Sequence, residues 1–119
     1  MLQKMKQLSI ILSCLILSAC STVPADMRVI NSKWNAVPYV AEKGQHIDDC
    51  ATFKRKGGDC EEYALCKRRD LLEAGYMDAE IVLGITSKAE YHAIVKAGGY
   101  YLDNRTNEIR MQPLDFERL

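Results

Sequence analysis

Three residues stand in an order that suits nucleophilic chemistry: Cys60, then His92, then Asp103. A thiol in the first turn of a helix meets unsatisfied backbone amides and the positive end of the helix dipole, and both favour thiolate. A histidine within reach can hold a thiolate–imidazolium pair, and a carboxylate can orient that histidine. His92 and Asp103 are expected on the two strands of one hairpin turning at Gly98-Gly99. His92 lies six residues before Gly98 and Asp103 four after Gly99. Both offsets are even, so without a bulge the two side chains share a face. His46 is a weaker rival base, because its polar segment offers no fixed geometry. A zinc site from His46 and the cysteines lacks any short Cys-x-x-Cys spacing.

The elements that must position these residues are legible from pattern. The best helix runs from about Cys60 to Ala74, with Asp59 as N-cap, Glu62 completing a capping box and Gly75 at C′. Its expected core-facing arc holds Cys60, Ala64, Leu65, Leu71 and Leu72. Arg68 falls inside that arc and needs an acidic partner or a route to solvent. Met27, Ile30 and Trp34 mark an earlier helix over 26–36, with Asp26 as N-cap. Pro38 biases the stretch 37–40 toward extended backbone. Residues 41–52 read as a loop, and Lys54-Arg55-Lys56-Gly57-Gly58 as a solvated basic turn. Strands are expected at Glu80–Thr86, Tyr91–Ala97 and Tyr100–Asp103, with the tail Ile109–Leu119 adding a strand or packing loosely. Two helices followed by an antiparallel meander make an α+β domain.

Composition sets the outer limits. The 119 residues suit one domain, and 48% hydrophobic with 27% charged residues is ordinary for a globular chain. Sixteen basic residues balance sixteen acidic ones, which leaves no basic footprint for nucleic acid. Lys4 and Lys6 precede an apolar run from Leu8 to Leu17, too short to span a bilayer as a helix. It closes on Leu17-Ser18-Ala19-Cys20, which looks like a bacterial lipobox. Residues 1–19 are therefore expected to be a lipoprotein signal peptide, 20–25 a tether lipidated at Cys20, and 26–119 the domain. Ser21 in place of Asp directs the expectation to the outer membrane, inner leaflet, facing the periplasm. In that oxidising compartment Cys50, Cys60 and Cys66 remain, an odd number. Cys60 and Cys66 sit about 9 Å apart along a helix and cannot pair. Cys50–Cys66 and Cys50–Cys60 both stay open, and the second would remove the nucleophile.

Gly58-Asp59-Cys60-Glu61-Glu62-Tyr63-Ala64, followed by Lys67 and Arg68, resembles the Gly-Asp-Cys-Glu-Asp-Tyr-Ala signature of the bacterial transglutaminase-like cysteine peptidases. His92-Ala93-Ile94-Val95 is similar to that family's His-Ala-Val-Leu strand, and Leu102-Asp103-Asn104 to its Leu-Asp-Asn. Asn31, Trp34, Asn35 and Tyr39 resemble its upstream asparagine-containing helix. The resemblance spans roughly residues 27–105; Cys50 and Cys66 depart from it. It implies a papain/transglutaminase-like core, with the nucleophile helix packed on a small antiparallel sheet. Cys60 is then nucleophile, His92 general base and acid, and Asp103 the residue orienting the imidazole. The family's adhesin-releasing periplasmic protease also binds calcium, which carries over to Asp59, Glu61 and Glu62, the last standing where the family has Asp. Calcium would reverse the charge of three carboxylates beside the thiol. The alternative is that Asp59 and Glu62 only cap the helix. The implied function is a lipid-anchored periplasmic cysteine peptidase acting on a protein substrate in the cell envelope. Two alternatives are an inactive envelope lipoprotein serving as a binding module and an acyltransferase using the same triad.

Overall fold

The computed structural model describes residues 22–41 and 49–119. The signal segment, Cys20 and His46 lie outside the described residues. Helix α1 spans Ala25–Asn35, α2 Cys50–Lys56 and α3 Cys60–Glu73. Five strands follow: β1 Glu80–Ile85, β2 Tyr91–Ala97, β3 Tyr100–Asp103, β4 Thr106–Arg110 and β5 Glu117–Arg118. They form an antiparallel sheet in the order β4-β3-β2-β1-β5. The fold is α+β, and α3 packs against β2 and α1.

The N-cap of helix α1 is Pro24, two residues before the expected Asp26. Proline's fixed φ suits a helix start, so Asp26 moves into the first turn, where Tyr76 donates to it at 2.6 Å. Between 49 and 57 the structure departs further from the sequence reading. The loop expected through residue 52 and the basic turn after it are one short helix, α2. Asp49 caps it by accepting from the Thr52 N–H and hydroxyl at 2.7 and 2.6 Å. Lys54, Arg55 and Lys56 occupy the last turn, where cations complement the dipole. Polar composition hid the helix; its single buried apolar residue is Phe53. Gly57 ends it at φ +79°, and a Cβ there would stand 2.4 Å from the Pro38 carbonyl oxygen. That close approach lets Tyr39 bridge to Gly58, with the Val40 N–H donating to Gly58 O at 2.9 Å.

Helix α3 carries both halves of the expected capping box and ends before Gly75 at φ +100°. Its buried face differs from the expected arc. Ala64 and Leu71 are buried as anticipated, but Leu65 is exposed, and Glu62, Tyr63, Cys66 and Lys67 are buried instead. The helix is covered by α1 and α2 as well as by the sheet, so polar residues facing those helices are enclosed once they find partners. Arg68 takes the solvent route: it is exposed, and its Nε donates to Ala79 O at 3.2 Å.

Trp34, Phe53 and Tyr63 join the three helices. Trp34 stacks on Phe53 at 5.8 Å, and Phe53 meets Tyr63 edge-on at 4.8 Å. The Tyr63 hydroxyl donates to Val37 O, so its polar end is satisfied. Trp34 Nε1 and Lys33 Nζ both donate to Asp70 Oδ2, at 2.8 and 2.9 Å. Phe53 is fully buried at the centre of this group. Phe53→Ala is expected to cost about 3–5 kcal/mol, read as a loss of urea-unfolding free energy.

The strands β2 and β3 match the expected spans, with Gly98 and Gly99 both at positive φ in the turn between them. Two more strands follow, the first starting at Thr106, ahead of the expected tail, and the second within it. β4 extends the meander, and β5 returns to the opposite edge beside β1.

Candidate active site

Cys60 occupies the first position of α3, half-buried, and is the free thiol among the described residues. Cys50 is bonded to Cys66, with Cα atoms 5.8 Å apart. Of the two pairings left open by sequence, the structure holds the one that spares Cys60. The Asp59 side chain accepts from the Glu61 N–H at 3.0 Å, and Glu62 Oε2 from the Asp59 N–H at 3.1 Å. Burial, with Asp59 beside it, raises the Glu62 carboxyl above its ordinary range.

His92 and Asp103 meet on one face of the sheet. Continuing the register in which Val95 pairs with Leu102 sets Asp103 opposite Ile94, diagonal to His92. Diagonal neighbours are within reach of long side chains, and His92 Nε2 lies 2.9 Å from Asp103 Oδ1. Cys60 lines the same cleft as this imidazole and favours its charged form. Burial favours neutral imidazole, and Arg105 adds a smaller push the same way. The hydrogen bond to Asp103, the nearby Cys60 and the Asp103 charge outweigh both and raise His92 to about 9. Asp103 is shifted in the opposite sense. Burial would raise it, but donation from His92 and Arg105 holds it well below the usual carboxylate range.

Arg105 is the partner that sequence reasoning missed. Its backbone N–H and Nε donate to Asp103 Oδ1 at 2.9 and 3.1 Å, and its Nη2 reaches Oδ2 at 2.6 Å. Its Nη1 and Nη2 also donate to the carbonyls of Asp115 and Leu114, tying the tail to the turn after β3. The only sequence signal was a cation two residues beyond the aspartate in a turn. Gly84 was equally silent. Its missing Cβ would stand 2.3 Å from the Phe116 ring, and that ring meets His92 edge-on at 6.4 Å.

Cys60 and His92 open onto a cleft of about 400 Å³. Its walls include Tyr39 from the segment after α1, Leu83 and Gly84 from β1, Tyr91 beside His92, and Leu119 after β5. Tyr39, Leu83, Tyr91 and Leu119 are all exposed, which gives the nucleophile an apolar, partly aromatic rim.

Of the three carboxylates expected to hold calcium, Asp59 and Glu62 lie side by side at the start of α3. Glu62 is 2% exposed and turned back to the Asp59 N–H, while Asp59 caps the Glu61 N–H. Among the described residues no group of three or more His, Cys, Asp or Glu side chains is placed to hold a metal ion. A rise in thermal midpoint with millimolar Ca²⁺ that Glu61→Ala abolishes would place calcium at this turn; no rise would leave Asp59 and Glu62 as caps alone.

A helix N-terminal cysteine set against a histidine-bearing antiparallel sheet is the architecture of a transglutaminase-like cysteine peptidase. The model of the bacterial transglutaminase-like cysteine proteinase BTLCP family matches residues 17–113, and the chain belongs to that family. Two solved structures of Legionella pneumophila LapG, one of them EGTA-treated, share the fold at a TM-score of 0.61 and 19% identity. Each match covers 78% of this chain and 59% or 60% of the LapG chain, so this chain spans about three-fifths of that length. No curated protein matches.

Proposed function

We propose that this protein is a peptidase of the cell envelope that cleaves a peptide bond in a protein substrate through Cys60, His92 and Asp103. The observation that carries the reading is an imidazole 2.9 Å from the Asp103 carboxylate that opens onto the same cleft as the Cys60 thiol. The Cys60 sulfur attacks the scissile carbonyl, and the Cys60 backbone N–H is the natural first donor to the developing oxyanion. His92 then protonates the departing amine, leaving an acyl-enzyme. Next it takes a proton from the incoming water, and collapse of the second tetrahedral species returns the free thiol and a carboxylate product. Asp103 keeps the imidazole in one orientation through both halves.

Iodoacetamide tests the nucleophile. Rapid alkylation of one thiol near neutral pH, mapped to Cys60 by peptide mass, is the expected result. Slow alkylation in protein with the Cys50–Cys66 bond intact would remove the nucleophile and favour a binding module.

The anchor belongs to the same proposal. A lipid on Cys20 would hold the domain at the periplasmic face of the outer membrane, and no described helix is long and apolar enough to cross a bilayer. Each buried lipid CH₂ contributes about 0.8 kcal/mol to membrane attachment. Cys20→Ala is therefore expected to move the protein from the membrane fraction to the soluble one. Retention after a salt wash would overturn the lipid assignment.

A further inference from the structure

Lys67 is 1% exposed, a rare setting for lysine, and no step of the reaction above uses it. Its Nζ donates to Asn35 Oδ1 at 2.6 Å. Asn35, the last residue of α1, aims its Nδ2 at the turn between β3 and β4. It donates to Asp103 O at 3.0 Å, Thr106 O at 2.9 Å and Asn107 Oδ1 at 3.0 Å. One helical turn earlier, the buried Asn31 donates to the carbonyls of Thr106 and Asn107, both at 3.3 Å.

From this arrangement we infer that Asn35 and Lys67 are positioning residues for Asp103, a clamp that sets the carboxylate's height against His92. The inference rests on the triad reading above. A lysine has donors and no acceptor, so it accepts only one orientation of the Asn35 amide. With Oδ1 turned to Lys67, the NH₂ must face the Asp103 and Thr106 carbonyls. The ammonium form of Lys67, which prevails below about pH 7, thus settles the orientation of the amide, and the amide settles the backbone from which Asp103 projects. The β3–β4 ladder pairs Asp103 with Thr106 but shifts register between Tyr101 and Asp103, so the clamp braces an irregular stretch of strand. Burying an amine without an ion-pair partner in contact costs free energy, and a clamp on the orienting residue accounts for keeping it. Burial lowers Lys67 to about 7, partly offset by the Asp103 charge.

The His92 titration reads the clamp directly, with or without turnover. The charged or titratable groups around the dyad are Asp103 on β3, Arg105 in the following turn, Cys60 on α3, and Tyr39, Asp59, Glu61 and Tyr91 along the cleft. Those around Lys67 are Asp103 and, under its Nζ, the Tyr63 ring. The chain has two histidines, so His46→Gln assigns the imidazole signals in proton NMR. Asn35→Ala removes the three donations without changing formal charge. It is expected to lower the His92 midpoint from about 9 by at least one pH unit. Asn31→Ala, which loses two contacts to the same turn but none to Asp103, is expected to lower the thermal midpoint while moving His92 less. Lys67→Met keeps the volume and frees the amide to flip. It is expected to slow Cys60 alkylation at pH 7 by about tenfold without lowering the thermal midpoint.

A merely structural Asn35 would lose thermal stability and leave His92 at its wild-type midpoint, and that result overturns the clamp alone. A wild-type midpoint near 6.5 would overturn the dyad and the clamp together. Should Asn35→Ala not fold, Asn35→Ser makes the same test with the short side chain still polar at a half-exposed position.

Discussion

Asp103→Asn is expected to bring the His92 midpoint from about 9 down toward 6.5 and to cut peptide turnover by about 10⁴-fold. The amide keeps the shape but removes the charge that favours imidazolium. It also offers Arg105 one acceptor oxygen in place of two. Stability should change its pH dependence as well. In the folded wild type His92 is raised above its ordinary 6.5, so its contribution is full below 6.5 and is lost as pH rises through about 9. Asp103 is depressed below its ordinary 3.8, so its contribution is full above that value and fades in stronger acid. Lys67 runs the other way. Lowered from 10.5 to about 7, it binds fewer protons folded than unfolded, and stability gains from it as pH rises between those values. Between pH 7 and 9 the His92 and Lys67 slopes oppose each other, and wild-type stability should be nearly flat. In Asp103→Asn the His92 slope disappears, and stability should rise with pH over that interval. Urea midpoints at pH 7, 8 and 9 check this; a flat profile in the variant would contradict the opposing assignments.

The second large effect is expected from the double variant Cys50→Ser, Cys66→Ser. The bond closes a loop of sequence separation 16, for which chain entropy gives a stabilisation of about 3 kcal/mol. Its loss should fall mainly on α2, which has seven residues and one buried apolar side chain. Urea unfolding should show about that loss, with amide exchange in 50–56 accelerating before exchange in β2. Cys60 alkylation should persist, since α3 and the sheet position the thiol without α2. A loss under 1 kcal/mol would mean that Phe53 packing alone holds the helix.

How much of this was legible depends on where the controlling contact lies. α3 announced itself because its cap, its capping-box glutamate and its terminal glycine are local features, each readable within four residues. The His92–Asp103 pairing was legible for a related reason: a glycine-glycine turn sets register, and register sets face. The short helix α2 was hidden because its stability comes from a cap and a covalent bond to a residue sixteen positions away, with almost no apolar period to read. The buried face of α3 was misplaced for another reason. A single-sided arc assumes one packing partner, and this helix has neighbours on two sides, so Leu65 came out and Lys67 went in. Phe116 was invisible because its partner His92 lies in a distant segment, whereas Arg105 stands two residues from Asp103 and showed only a bare charge.

Arg105 also has a mechanical meaning. The turn it leaves belongs to the β3–β4 side of the sheet, and the carbonyls it grips, at Leu114 and Asp115, lead into β5 on the far edge. One guanidinium therefore works as a hoop across the end of an open sheet, drawing together two edges that share no hydrogen-bond ladder. A pull on the chain after β5 would load that hoop early, and through it the carboxylate behind His92, while Phe53 and its neighbours stayed unloaded. The tail is thus a lever whose short arm ends on Asp103.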